Sequence, residues 1–286
     1  MRMKKNLLLI VLFISFLTGC SSDDDKSSLP TDDASVAKEY TNVAYGNDPQ
    51  QTMDVYLPAG RTQSTQVIVL IHGGAWISGS KEDFSDYIPT IKAGFPDCAI
   101  VNINYRLATE TSAAFPKQTD DLISVFDYLE NRSGYIIDNS YLLVGASAGA
   151  HLAMLYGYKY DTDHEVKAIG NIVGPADFLD PAYVSHPLYP LAAQYLLGTS
   201  APTQAQIQQV NPVSHITAQA PPTISFYGGV DPLIPTSQGP RLKQALDAVG
   251  ISNNYNLYPN GGHGDWDNAT MNDALTKLTA FLQQHQ

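Results

Sequence analysis

Hydrophobic residues in this chain follow two spacings, and the two alternate. Short apolar runs at residues 67–71, 99–103, 141–144, 168–173 and 223–227 predict strands buried on both faces. Residues 40–45 and 52–57 alternate instead, with Met53, Val55 and Leu57 on one side, and predict an antiparallel pair that opens the sheet. Between the runs the spacing becomes helical. Phe84, Tyr87, Ile88 and Ile91 fall at i, i+3, i+4 and i+7 behind Ser80 and Asp83, a cap pair. Leu122, Val125, Phe126 and Leu129 repeat that spacing behind Pro116, and Met271, Ala274, Leu275, Leu278 and Leu282 define a closing helix. Strands alternating with helices predict the α/β class, a mainly parallel central sheet with helices on both faces. The segment 175–222 breaks the rhythm. It is rich in Pro, Tyr, Gln and Ala, has no long strand, and exceeds the usual length of a connection, which predicts a small cap or lid insertion. No internal repeat divides the rest, so residues 39–286 are expected to form one domain.

Composition changes the picture mainly at the N-terminus. The chain has 286 residues, 44% hydrophobic and 15% charged, enough for one large core. Arg2, Lys4 and Lys5 precede an apolar run at 7–17, too short to span a bilayer and the right length for a secretion signal. Leu17-Thr18-Gly19-Cys20 then resembles the lipobox of bacterial lipoproteins. Residues 1–19 therefore read as a lipoprotein signal peptide, with Cys20 as the acylated new terminus and 20–38 as a flexible acidic tether. The alternative is an ordinary signal peptide that ends near a cysteine. Asp23, Asp24 and Asp25 resemble a surface-export tag, or else a solvated linker. Together these features point to a lipid anchor in a bacterial membrane, the outer one, on its periplasmic or cell-surface face.

Removing the three leader cations takes the formal charge from −12 to −15 (−12 − 3), which argues against nucleic acid or anionic lipid as a partner. Cys98 is then the single thiol left, so no intrachain disulfide is expected, and it reads as a small core residue.

Candidate chemistry sits at strand ends. Gly145-Ala146-Ser147-Ala148-Gly149 is a G-x-S-x-G pattern between an apolar strand and a helical run. That setting is what a nucleophile needs: a sharp strand-to-helix turn lifts the hydroxyl clear of the sheet, and flanking glycines let the two backbones approach. Ile71-His72-Gly73-Gly74-Ala75-Trp76 closes an earlier strand with a glycine pair that can aim N–H groups at one point, an oxyanion hole joined by the N–H of Ala148. His72 there anchors the loop. In this plan the acid and then the histidine follow the serine along the chain. Asp231, after a strand and among Gly228, Gly229 and Pro232, and His263, between Gly262 and Gly264, meet that order. Asp177 is an alternative acid. His151, one helical turn past Ser147, is expected to pack beneath the turn, and His164, His186, His215 and His285 to be surface residues. Asp265 and Asp267 read as solvated. No spacing such as H-E-x-x-H suggests a metal, and no organic cofactor is implied.

These motifs, with Asn104-Tyr105-Arg106-Leu107 and Gly229-Val230-Asp231-Pro232-Leu233-Ile234-Pro235, resemble the α/β-hydrolase esterases with an HGG oxyanion loop. That group holds the hormone-sensitive-lipase-like enzymes and carboxylesterases. The chain is most similar to the BD-FAE type, small bacterial esterases that remove acetyl or feruloyl groups from plant polysaccharide, over about residues 40–285. The resemblance implies Gly74 and Ala75 as oxyanion donors, with Ala75 a mild departure from glycine, and gives Arg106 a loop-bracing role. It implies a serine carboxylic-ester hydrolase working through an acyl-enzyme on a small-molecule or oligosaccharide ester outside the cytoplasm. Trp76, with Tyr183, Tyr189, Tyr195 and Trp266, suits a substrate pocket and equally suits core packing. An amide or peptide hydrolase on the same residues, or a non-catalytic surface binding lipoprotein, are the alternatives.

Overall fold

The computed structural model of the protein describes residues 33–286. The signal peptide and Cys20 read from the sequence lie outside the described residues. Eight strands form one sheet: β1 (Lys38–Ala44), β2 (Thr52–Leu57), β3 (Val67–Ile71), β4 (Ala99–Ile103), β5 (Tyr141–Ala146), β6 (Val166–Ile172), β7 (Thr223–Gly228) and β8 (Asn253–Tyr258). Their spatial order is β1-β2-β4-β3-β5-β6-β7-β8. β1 and β2 are antiparallel, β2 joins β4 antiparallel, and every pairing from β4 to β8 is parallel. This is the α/β-hydrolase arrangement.

Side-chain alternation sends each parallel strand into two cores. Val67, Val69 and Ile71 of β3 join one cluster, and Ile68 and Leu70 join the other. The larger cluster packs under α2 (Lys117–Glu130), α3 (Ala148–Leu155) and α7 (Gln238–Ala248). The smaller lies under a 3-10 turn at Lys81–Tyr87, α1 (Ile88–Gly94) and α8 (Asn268–Gln283). Ser80 opens that turn with its N–H donated to Asp83 Oδ2 at 3.3 Å, as the cap pair predicts.

The insertion is helical. Between β6 and β7 lie α4 (Pro181–Val184), α5 (Tyr189–Leu197) and α6 (Gln204–Val210), whose Tyr183, Ala193, Leu196 and Val210 enter the larger core. Gln238 at the start of α7 is fully buried and ties the insertion down. Its Oε1 accepts the N–H groups of Ala176 and Asp177, and its Nε2 donates to Asp177 O and Asp180 Oδ2.

Two expectations need correction. The acidic tether was drawn to residue 38, yet β1 begins at Lys38 and the chain is already docked before it. Ala34 O accepts from Gly60, and Val36 O accepts from the buried Arg61, whose guanidinium needs acceptors there. On β2 the alternation places Asp54 toward solvent, but Asp54 is buried beside Lys81, with Nζ 2.8 Å from Oδ2. The ion pair lets a charged residue occupy the second face.

Arg106 braces loops, as the resemblance implied. Asp121, fully buried on α2, accepts from the Arg106 backbone N–H (2.7 Å), its Nε (2.8 Å) and Gln51 Nε2 (2.8 Å). Removing the carboxylate strands the buried amide of Gln51 and two donors of the part-buried Arg106, one of them on its guanidinium. Asp121→Ala should lower unfolding free energy by about 3–5 kcal/mol, measured by urea denaturation; a loss below about 1 kcal/mol would show the pair to be dispensable.

Candidate active site

The chain runs from β3 outward to β4 and returns to β5 on the other side of β3. The carboxyl ends of β3 and β5 thus flank a switch point, where open α/β sheets form their crevice. Both glycine motifs emerge there.

Ser147 sits between β5 and α3 at φ 51°, ψ −117°, a conformation costing on the order of 1–3 kcal/mol. What holds it is the close docking of α3. A Cβ on Gly149 would lie 2.0 Å from Ile71 O and 2.3 Å from His72 O, so no larger residue fits between the helix and the end of β3. A carbon on Gly73 would meet Ala146 O at 3.0 Å and Ser147 Cβ at 3.3 Å, so the glycine loop lies directly against the serine turn.

Ser147 Oγ is 2.8 Å from His263 Nε2, and His263 Nδ1 is 2.7 Å from Asp231 Oδ2. Because carboxylates only accept, Nδ1 carries the proton and Nε2 accepts from the serine hydroxyl. The Asp231 side chain is fully buried, and its Oδ1 accepts the N–H groups of Leu233 (2.8 Å) and Ile234 (3.0 Å), which fix the carboxylate plane. The loops bearing these residues follow neighbouring strands β7 and β8. They are stitched by Gly229 N–H to Tyr258 O and Val230 N–H to Gly261 O. A Cβ at Gly228 would stand 2.1 Å from Gly262 O, so that crossing also requires glycine.

Asp177 is not in the row. Its Oδ2 takes Arg241 Nε at 2.6 Å and its Oδ1 takes Asn211 Nδ2 at 3.1 Å, a structural ion pair on the insertion. Asp265 is exposed, and Asp267, read as merely solvated, caps α8 by accepting from Thr270 N–H at 2.7 Å.

The glycine loop at 72–76 is braced from below. His72 is buried, donates Nδ1–H to Gly73 O at 2.7 Å, and stacks on Tyr105 with centroids 4.1 Å apart. Tyr105 Oη donates to His72 O at 2.8 Å. Burial pushes the His72 ring toward its neutral form by lowering its pKa. Trp76 O accepts from Gln118 Nε2 and Ala108 N–H, both at 2.8 Å. Gly74, Ala75 and Trp76 all have positive φ. Among the described residues, the N–H groups of Gly74, Ala75 and Ala148 find no backbone or side-chain acceptor. They are therefore available to an oxygen beside Ser147.

His151 lies beneath the turn, as its spacing predicts, and does more than fill space. Its Nε2–H donates to Val210 O (2.8 Å) at the end of α6, and its Nδ1 accepts from Trp76 Nε1 (3.2 Å). One buried ring therefore joins the oxyanion loop to the insertion. His186, expected as a plain surface residue, is half-buried and links the insertion to the acid loop by donating Nε2–H to Pro232 O at 2.9 Å. Nothing in its local sequence marks that contact, because the partner is 46 residues away.

Two cavities meet at Ser147 and His263. One, of about 140 Å3, lies under the insertion and is lined by Ala75, Trp76, Ala148, Tyr183, Tyr189 and Tyr195. Trp76 lines this cavity while buried in the core, with its N–H committed to His151. Trp266 lines neither cavity. It packs on Tyr258 and donates to Gly262 O, holding the histidine loop. The other cavity, of about 300 Å3, runs from Gly73 and Gly74 down the opposite face of the sheet.

A BD-FAE family model matches residues 53–246. Esterase LipC of Mycobacterium tuberculosis is 25% identical over 85% of this chain and 64% of its own length. Arylacetamide deacetylase of Bos taurus is 29% identical over 50% of this chain and 39% of its own. The chain therefore spans less than two thirds of these relatives. Among solved structures, a truncated carbohydrate esterase from gut microbiota shares the fold, with a TM-score of 0.71 at 23% identity over 88% of this chain and 99% of that one.

The buried His151 also makes acid stability a readout of the site. Burial lowers its pKa from 6.5 to about 4. As pH falls through that window the unfolded chain takes a proton that the folded chain refuses, so folding stability drops. His151 should contribute a loss on the order of 3 kcal/mol between those pH values, read as the difference between the urea-derived acid limbs of the unaltered protein and His151→Gln. Parallel acid limbs in the two proteins would contradict this.

Proposed function

We propose that this chain, which belongs to the BD-FAE family, is a serine carboxylic-ester hydrolase that works through an acyl-enzyme. The observation that carries the reading is the continuous row Ser147 Oγ, His263 Nε2, His263 Nδ1, Asp231 Oδ2, with links of 2.8 and 2.7 Å. His263 takes the hydroxyl proton while Oγ bonds to the ester carbon. The carbonyl oxygen, now negative, lies against the N–H groups of Gly74, Ala75 and Ala148, each such donor contributing about 3 kcal/mol to transition-state stability. Asp231 keeps the ring in the required tautomer and stabilises its charged form. The imidazolium then protonates the leaving alcohol as the carbon–oxygen bond breaks. Water, deprotonated by the same nitrogen, releases the acid and restores Ser147.

For the substrate we propose a small or carbohydrate-linked ester, with acetyl and feruloyl as the acyl groups implied by the family resemblance. The fold shared with a gut carbohydrate esterase and the tyrosine-lined cavity support this. A second reading, amide hydrolysis on the same residues, is favoured by the names of relatives such as arylacetamide deacetylase and kynurenine formamidase. Placement outside the cytoplasm on an acylated Cys20 rests on Leu17-Thr18-Gly19-Cys20 behind its apolar run.

Purified protein should hydrolyse p-nitrophenyl acetate and leave an aminoacyl anilide nearly untouched. Ser147→Ala should keep its fold and lose on the order of 10³-fold or more in kcat. Turnover surviving that substitution would remove the serine mechanism, and faster anilide cleavage would favour the amide reading. In a Gram-negative host fed labelled palmitate, the full chain should carry label and Cys20→Ala should not. Equal label in both, or none in either, would remove the anchor.

A further inference from the structure

The cavity on the far side of Ser147 is too large for an acetyl group. It occupies about 300 Å3 between the sheet and the helices α1 and α8. Ile68, Leu70 and Val144 form its floor, and Ile91, Leu275 and Leu278 its walls. Along β3 from Ile71 back to Ile68 the chain rises ~10 Å at the rise of a parallel strand, with Gly73, beside the nucleophile, past that end. Its far end is closed by Ile68, Phe95 and Leu282, each buried, while Asp83 and Thr90 leave one flank open to water.

The second cavity ends differently. Ile77, Leu188, Leu191 and Leu233 line it and are each more than a third exposed, so it opens on solvent through an aliphatic collar. An ester divides at the attacked carbon into two groups that depart in different directions. The alcohol must leave, and may continue into a larger molecule, so it needs the open mouth. The acyl group stays on Ser147 until water releases it and has a free end, so a cleft with a closed end fits it.

We propose that the cleft between α1 and α8 is the acyl subsite and that the enzyme takes esters of extended, unbranched alkyl acids, long enough to seat an octanoyl chain. This deepens the serine esterase reading, on which it rests, and departs from it at the acyl group. Six additional methylenes enter the apolar cleft on going from acetyl to octanoyl. Each buried methylene is worth up to roughly fourfold in transition-state binding, so even partial burial gives a large preference.

The test is the ratio of kcat/KM for p-nitrophenyl octanoate over acetate, measured with the intact chain. The ratio should be on the order of ten or more. Leu275→Trp fills the cleft from α8, and Thr90→Trp, an exposed position on the opposite wall, fills it with little risk to folding. Either should lower the ratio tenfold or more. Acetate hydrolysed as well as octanoate by the unaltered protein would overturn the acyl subsite and leave the esterase reading standing. So would a ratio that both tryptophans leave unchanged. Failure to hydrolyse any ester would overturn both.

Discussion

The geometry of the Ser147 row depends on how closely the first turn of α3 approaches the end of β3. Ser147 can hold φ 51° only because the chain on either side is fixed, β5 by its two parallel neighbours and α3 by contact at Gly149 with the carbonyls of Ile71 and His72. The same contact sets the glycine loop against the serine, since the loop begins where those carbonyls end. The proposed nucleophile and the N–H groups proposed as oxyanion donors are thus positioned by one packing event, and backbone strain at the turn is offset by the buried strands around it. The acid and histidine loops are added independently, from β7 and β8, and reach the serine because those strands are sheet neighbours with a glycine crossing between them.

Three histidines near the site show how environment assigns chemistry to one residue type. His72 and His151 are buried and held neutral. Each gives its N–H to a carbonyl, and each touches the glycine loop, His72 at Gly73 and His151 at Trp76. His263 alone is partly exposed, at 20% of its side chain, and alone has a carboxylate on Nδ1 and a hydroxyl on Nε2. A proton can enter and leave there without being taken from the fold's own hydrogen bonds. His151 reaches Val210 as well, so the insertion and the loop share one hydrogen-bonded joint.

Much of this was legible along the chain because the relevant signals are local. Unbroken apolar runs mark strands covered on both faces, and glycine clusters at their ends mark turns where backbones must approach. Ser147, Asp231 and His263 stand in such places, and the order in which they occur makes the row plausible without choosing between Asp231 and Asp177. Partners far apart in sequence left no local mark. Gln118 and Gln238 are buried amides that reach carbonyls 42 and 61 residues away, and both look like ordinary helix residues until the fold closes. Asp177 stayed a rival acid until Arg241 was seen to occupy it. Asp54 looked solvent-facing because alternation says nothing of a lysine arriving from another segment. The three short helices of the insertion were likewise hidden, since each has fewer than ten residues and too few turns to set a clear period.

The most direct test of the hydrogen-bonded row is covalent trapping of the nucleophile. A fluorophosphonate probe reacts with a serine only when a neighbouring base draws off its proton and backbone donors receive the phosphonyl oxygen. Digestion and mass spectrometry of the treated protein should place the adduct on Ser147 alone, and His263→Gln should abolish it while the protein stays folded. An adduct on another residue, or labelling of Ser147 that persists undiminished without the imidazole, would contradict the assignment.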